Sequence, residues 1–344
     1  MPGPSAAPEE MHAVDGWDDN LSCGSELDGE IPEELRRVAK VEEPSKEQIV
    51  QHELENHANY RAWCPACVAG RGVGSQHRKK KRDRADAFRD GPCIYSDCFF
   101  MSTQEEGSTP MLVLKFSRSG RISATALPAK GMTDYGVKFF RNFILSTGIR
   151  HFVNFSDSEH AMVSLKEAAA KLCEGVESVS RNCPVGDYRA NGHAENSVKQ
   201  VKGQMRSVRL SLEQKLGTKL AEDHPLLQWI PMFAGDVISR HRRAPDGKTP
   251  YERELQRKWS RPALEFGEKI FLKEAKELSG RPKRDWEERM IEARFIGHHA
   301  RSNAIMGLTD AGVKFGMGAT RTSLKERWSI EGLDAVKGLP WDLP

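Results

Sequence analysis

Residues 93–101, CIYSDCFFM, decide the fold. Seven of the nine are apolar or aromatic, the composition of a buried strand. Yet Asp97 stands in the middle. A carboxylate inside such a run is costly unless it is paired or holds a metal, and strand interiors deplete Asp. The stretch therefore predicts a central strand that carries a functional acid.

Working outward, EEGSTP (105–110) reads as a turn and 111–117 as a second strand. Ser119-Gly120 is another turn, and 122–127 a third strand, so short connections predict an antiparallel meander. Residues 134–146 have helical spacing, with Val137, Phe140, Ile144 and Leu145 on the apolar side. A strand at 151–155 ends at Ser156-Asp157. A helix over 159–172 (Met162, Leu165, Ala169, Leu172) and a fifth strand at 176–180 follow. Two helices, 193–216 and 225–241, close the block. The order β-β-β-α-β-α-β-α-α predicts an α/β fold, a mixed five-stranded sheet with helices on its faces. In that order the centre of strand one and the end of strand four are neighbours, and the helix after strand five can bring Glu195 beside them.

The flanks differ in character. A chain of 344 residues allows two or three domains. With 38% hydrophobic and 29% charged residues, it supports a folded core with room for unstructured flanks. Net charge is only +3, so distribution matters more than balance. Residues 1–45 are acidic and without period, and read as a disordered tail. Residues 46–70 form a compact His/Cys unit, 71–90 a basic linker, and 91–245 the central block. From Phe266, short strand candidates at 266–273, 291–296, 304–308 and 313–316 predict a small β-rich, barrel-like domain over 262–330. Its Arg281, Lys283, Arg284 and Arg289 suit DNA, or merely solubilise a loop. No run of 18 apolar residues suggests a membrane span. The N-terminus lacks the basic and apolar regions of a secretory signal. An odd count of seven cysteines then argues for reduced thiols and a nuclear or cytoplasmic protein.

Three chemistries follow from residue types. Asp97, Asp157 and Glu195, if convergent, offer the hard oxygen ligands that a pair of Mg²⁺ (or Mn²⁺) ions needs for in-line displacement at phosphorus. Taken singly, Asp157 could cap the following helix, and Glu195 could complement the helix dipole. Lys199, Lys202, Arg206 and Arg209 follow Glu195 at +4, +7, +11 and +14, one stripe of a helix. Val198, Val201, Met205, Val208 and Leu212 form the apolar pattern that faces the core. The stripe is a solvated face or a phosphate-binding one. His52, His57, Cys64 and Cys67 are a standard tetrahedral Zn²⁺ set, and a segment this short could hardly bury a core without metal. The alternatives are surface histidines with buried thiols, or His77 as a substitute ligand.

The quoted residues carry a resemblance. IYSDCFF, NFSDSEHAM and YRANGHAENSVKQVKGQMR resemble the three motifs of the retroviral and retrotransposon integrase core, a ribonuclease-H-like Asp-Asp-Glu superfamily. Asn-Gly-x-x-Glu-Asn followed by a basic amphipathic helix is the most specific of them. Between Asp157 and Glu195 lie 37 residues, near the family's usual spacing. The resemblance implies a catalytic role for Asp97, Asp157 and Glu195 and DNA contacts from Lys199 and Lys202. The His/Cys unit resembles the family's N-terminal zinc domain, though only six residues separate His57 from Cys64. The segment from TPYERELQRKW onward resembles copia-like elements. The implied activity is DNA strand transfer with an end-processing nuclease step, carried out by a homo-oligomer on element ends and target DNA. Ser158-Glu159 replaces the small pair usual after the second Asp. Two alternatives therefore stay open: an inactive DNA-binding remnant, and a ribonuclease-H-like nuclease. No protease or reverse-transcriptase motif is present, so the chain reads as a polyprotein fragment or a decayed copy.

Overall fold

A computed structural model of the chain describes residues 41, 43–72, 91–101, 108–182, 192–261, 263–274, 286 and 288–343. Most of the acidic segment 1–45, the linker beyond Gly72, and His77, Arg281, Lys283 and Arg284 lie outside the described residues.

The five expected strands form one sheet in the order β3-β2-β1-β4-β5. They are β1 (Cys93–Phe99), β2 (Met111–Phe116), β3 (Ile122–Ala126), β4 (His151–Ser156) and β5 (Glu177–Asn182). The β1–β2 and β2–β3 pairs are antiparallel; β1–β4 and β4–β5 are parallel. This is the ribonuclease-H-like mixed sheet that the element order predicts. Parallel neighbours require crossover connections. Helices α3 (Asp134–Thr147) and α4 (His160–Lys171) supply them. Helix α3 starts where the Thr133 side chain accepts the Gly136 N–H, and stops at Gly148, whose φ of +68° suits glycine best.

The period-two alternation of β1 and β2 divides the core. Ile94, Leu112 and Leu114 face α3 and α4, meeting Phe140, Ile144, Phe152 and Leu165. Phe99, Met111 and Val113 face the other way, beneath α5 (Gly192–Leu216) and α6 (Ile230–His241), against Val201, Met205, Val208, Leu212, Phe233 and Val237. Tyr95 and Asp97 share the Phe99 side. Fully burying each such side chain contributes on the order of 2 kcal/mol, so α5 is held to the sheet by its apolar stripe.

The single helix expected over 225–241 is broken. A 3-10 turn (Pro225–Trp229) precedes α6, and Pro231, which has no N–H to donate, stands in the first turn of α6, where that loss costs nothing. A further short helix, α7 (Pro250–Leu255), follows, opened by a Thr249/Glu252 capping box. Strands β6 (Lys269–Glu274), β7 (Ile291–His298), β8 (Ile305–Thr309) and β9 (Gly312–Arg321) form a closed barrel, with β6 paired to β9. Its inner residues Ile270, Leu272, Phe295, Met306 and Leu308 are continuous with the α5/α6 core and with Leu333 and Val336 of the C-terminal segment. Trp229, fully buried, donates its ring N–H to the Gly338 carbonyl at 3.1 Å. The His/Cys unit contributes α1 (Lys46–Leu54) and α2 (Pro65–Arg71). Among the described residues no helix is long and apolar enough to cross a membrane.

Candidate active site and metal centre

The β1–β4 register pairs Tyr95 with Phe155. Asp97 lies two residues further along β1, and Asp157 directly follows the end of β4, close enough for its charge to act on Asp97. Glu195 enters from the first turn of α5. The His193 ring stacks on Tyr95 with centroids 4.8 Å apart, fastening the start of α5 to β1 two residues before Asp97. The three acids therefore share one electrostatic neighbourhood. Burial pushes the Asp97 carboxyl up to about 7, and the charge of Asp157, then of Glu195 and Glu159, adds to that. Cys98 is pushed up to about 12 by burial and next by Asp97. Asp157 does not cap α4: Glu159 holds the cap position, and the Asp157 Oδ1 accepts the Glu159 N–H at 3.3 Å. Glu159 itself pairs with Lys130 at 2.7 Å.

Lys166 escaped the sequence reading. Its side chain is wholly buried, and its Nζ donates to Asn154 O (3.3 Å), Arg181 O (3.0 Å) and Asn182 Oδ1 (2.5 Å). It braces the ends of β4 and β5, from which the chain leaves toward Asp157 and toward α5. Burial lowers it to about 8, offset by the nearby charges of Glu167 and Asp157. The only signal was a lysine adjoining the apolar stripe Met162-Leu165-Ala169.

The basic stripe divides by use. Lys199 is exposed. Lys202 lies over the Phe99 ring at 4.9 Å, and Asp97 is among the charges it feels. Arg206 donates from Nε to Gly70 O at 2.9 Å. Arg209 is engaged by Glu213 and Leu220 O. The stripe is thus only partly free.

Among the described residues, the group with ligand atoms gathered closely enough to hold one ion is His52, His57, Cys64 and Cys67, all buried and within 4.8 Å of one another. The carboxylates are not gathered that closely. His52 Nε2 lies 3.1 Å from His57 Nδ1, Cys64 Sγ 3.4 Å from His57 Nδ1, and Cys67 Sγ 3.3 Å from His52 Nε2 and 4.0 Å from His57 Nδ1. A zinc tetrahedron with Zn–N near 2.05 Å and Zn–S near 2.3 Å has edges of about 3.3 Å (N–N) and about 3.6 Å (N–S). The observed N–S edges bracket the ideal value and the N–N edge is about 0.2 Å shorter than ideal, so the group could bind zinc through His52 Nε2 and His57 Nδ1. Cys64 caps α2 and Pro65 follows it, which turns both sulfurs inward. The hydrogen bond from Cys64, then those of His52 and His57, depress Cys67, while its Cys67 partner and burial raise Cys64.

No family model and no curated protein matches the chain. Among solved structures it is similar to a simian T-cell lymphotropic virus intasome in complex with PP2A regulatory subunit B56 gamma. Identity is 12%, over 67% of this chain and 81% of that one, with a TM-score of 0.32. It is also similar to the catalytic core domain of BIV integrase, at 18% identity over 48% of this chain and 93% of that one, with a TM-score of 0.32. The fold described above rests on its own strand order and register, not on these overlaps.

Proposed function

We propose that the chain is an integrase-type polynucleotidyl transferase of a retroelement. It would join element DNA ends to target DNA and trim those ends by hydrolysis at the same site. One observation carries the reading: Asp97, in the middle of β1, is desolvated by burial and also feels the charges of Asp157, just past β4, and Glu195, in the first turn of α5. Carboxylates that repel one another at a buried edge fit a cationic occupant, and their all-oxygen donor set suits Mg²⁺ or Mn²⁺. Two such ions, when bound, supply the charge that activates an attacking oxygen and stabilises a departing one. Asp97, Asp157 and Glu195 would hold the ions. The His193–Tyr95 stack, which fastens the start of α5 to β1, would position Glu195 for this. Lys199 and Lys202, one and two turns beyond Glu195, would hold phosphates without reading sequence. Arg206 would add a contact through the guanidinium nitrogens not given to Gly70. Zinc at His52, His57, Cys64 and Cys67 would be structural. A second copy of the chain is implied, because two DNA ends must be joined together.

A strand-transfer assay with Mg²⁺ or Mn²⁺ on element-end DNA tests this. The wild-type chain should join DNA, and Asp97→Asn, Asp157→Asn and Glu195→Gln should each lose activity by orders of magnitude while remaining folded. Equal joining by Asp97→Asn refutes the assignment. A wild-type chain that binds DNA but joins none supports the inactive-remnant reading, with Ser158-Glu159 the first suspect. Cleavage confined to the RNA of a hybrid supports the nuclease reading.

A further inference from the structure

We infer that the His/Cys unit anchors the helix bearing Glu195, with Arg71 and Gln204 as positioning residues that connect the Cys67 sulfur to α5. Arg71 ends α2, four residues beyond Cys67. Its guanidinium donates to Cys67 Sγ (2.9 Å), the Ala58 carbonyl (3.1 Å), the His57 carbonyl and Gln204 Oε1 (3.0 Å). Gln204 is fully buried in α5 and returns its amide to the Asn56 carbonyl at 2.7 Å. Asn56 in turn holds the entry to the barrel: Nδ2 donates to Leu264 O at 3.0 Å, and Oδ1 accepts the Phe266 N–H at 3.1 Å. One chain of hydrogen bonds thus runs from the Cys67 sulfur to α5, and on to the segment that leads into β6.

The packing is equally close. A Cβ on Gly70 would lie 2.6 Å from Ser207 Oγ and 2.8 Å from its backbone nitrogen, and one on Gly203 would lie 2.9 Å from Arg71 Cγ. Helices α2 and α5 touch through two glycines, and Arg206 closes the contact from the α5 side. The turn beneath is strained: Asn56 and His57 have φ of +50° and +59°, unusual for residues with a side chain. Such conformations persist only where surrounding bonds over-determine them. Here those bonds are the His57 ring at the metal group, the two Arg71 bonds to the His57 and Ala58 carbonyls, and the Gln204 and Asn56 contacts. A cation held by the four ligand atoms would fix the His57 ring against Cys64 and Cys67 more firmly than hydrogen bonds alone, so its removal loosens the turn. Relaxation displaces the carbonyls that Arg71 and Gln204 grip. Gln204 lies nine residues beyond Glu195, about 13 Å along the helix, so slack there reaches the reacting end through one rigid rod.

The consequence for activity rests on the reading of Glu195 above; the coupling itself does not. Hydrogen exchange on the full chain, with one equivalent of zinc and after chelation, reads the coupling directly. Chelation should speed exchange of amides 200–208 and 264–266 at least tenfold and leave 151–156 in β4 unchanged. Gln204→Leu should still hold one equivalent of zinc by metal analysis, yet exchange fast at 200–208 with or without metal. If Gln204→Leu does not fold, Arg71→Lys answers in its place: it keeps the charge beside Cys67 but loses the fork that spans Gln204. Failure to bind one equivalent of zinc overturns the inference. So does exchange at 200–208 that ignores chelation, or Gln204→Leu behaving as wild type. A chain that joins DNA without zinc-linked exchange loses only this inference; one with zinc-linked exchange that joins no DNA loses only the enzymatic reading.

Discussion

Asp97→Asn should make the protein more stable while removing its activity, and the size of the effect follows from the site. The folded carboxyl titrates near 7 against 3.8 for the free group. Between those values the native state keeps a proton that the unfolded chain has released. Stability from this group is therefore fully present below about pH 4 and is lost as pH rises through 7. A difference of about three pH units corresponds to roughly 4 kcal/mol. Asparagine cannot ionise, so the variant escapes this loss. In urea titrations of the zinc-loaded chain without Mg²⁺, wild type and Asp97→Asn should have similar stability at pH 4. By pH 8 the variant should lead by up to roughly 4 kcal/mol, a gap worth several degrees in Tm. Millimolar Mg²⁺ at pH 8 should restore wild type and leave the variant unmoved, because binding to the native state alone stabilises it. Parallel stability curves for the two proteins from pH 4 to 8 would refute the reasoning, since they would mean that Asp97 is neither desolvated nor repelled.

Three further outcomes follow. Lys199→Ala should weaken DNA binding, lower the salt slope by about one and leave Tm unchanged; Arg206→Ala should lower Tm as well, because its Nε holds Gly70 O, and thermal melts beside a salt series separate the two. Lys166→Met should lower the urea midpoint by roughly 1–3 kcal/mol at pH 7, because two carbonyls and Asn182 Oδ1 lose their donor. Wild-type stability should also rise between pH 8 and 10.5, where the native lysine has released a proton that the unfolded one keeps, and the variant should lack that rise. Gly70→Ala should cost roughly 1–3 kcal/mol through overpacking against Ser207; a midpoint equal to wild type would show that α2 and α5 can separate freely.

Much of the fold was legible in local pattern. Apolar runs bounded by turns mark β1 and β2, helical spacing marks α3 and α5, and short connections imply the meander, so the mixed sheet follows from the order of elements. An acid in an apolar strand singled out Asp97, and a CxxC with two upstream histidines singled out the metal group, because such residue types are costly or pointless elsewhere. What lay beyond reach is whatever depends on contacts distant in the chain. Arg71 and Gln204 are separated by 133 positions, and Asn56 and Leu264 by 208. Nothing periodic marks an arginine that will grip a sulfur, or an asparagine that will hold three segments. Lys166 went unmarked because its burial depends on backbone groups of β4 and β5. The break before Pro231, the pairing of β6 with β9, and the commitment of Arg206 to Gly70 were likewise decided by packing. Amino-acid order sets which faces are apolar and where charges are tolerated; only the folded chain, by bringing remote backbone groups within hydrogen-bond reach, decides which side chains are free to meet a ligand and which are already spent on holding the protein together.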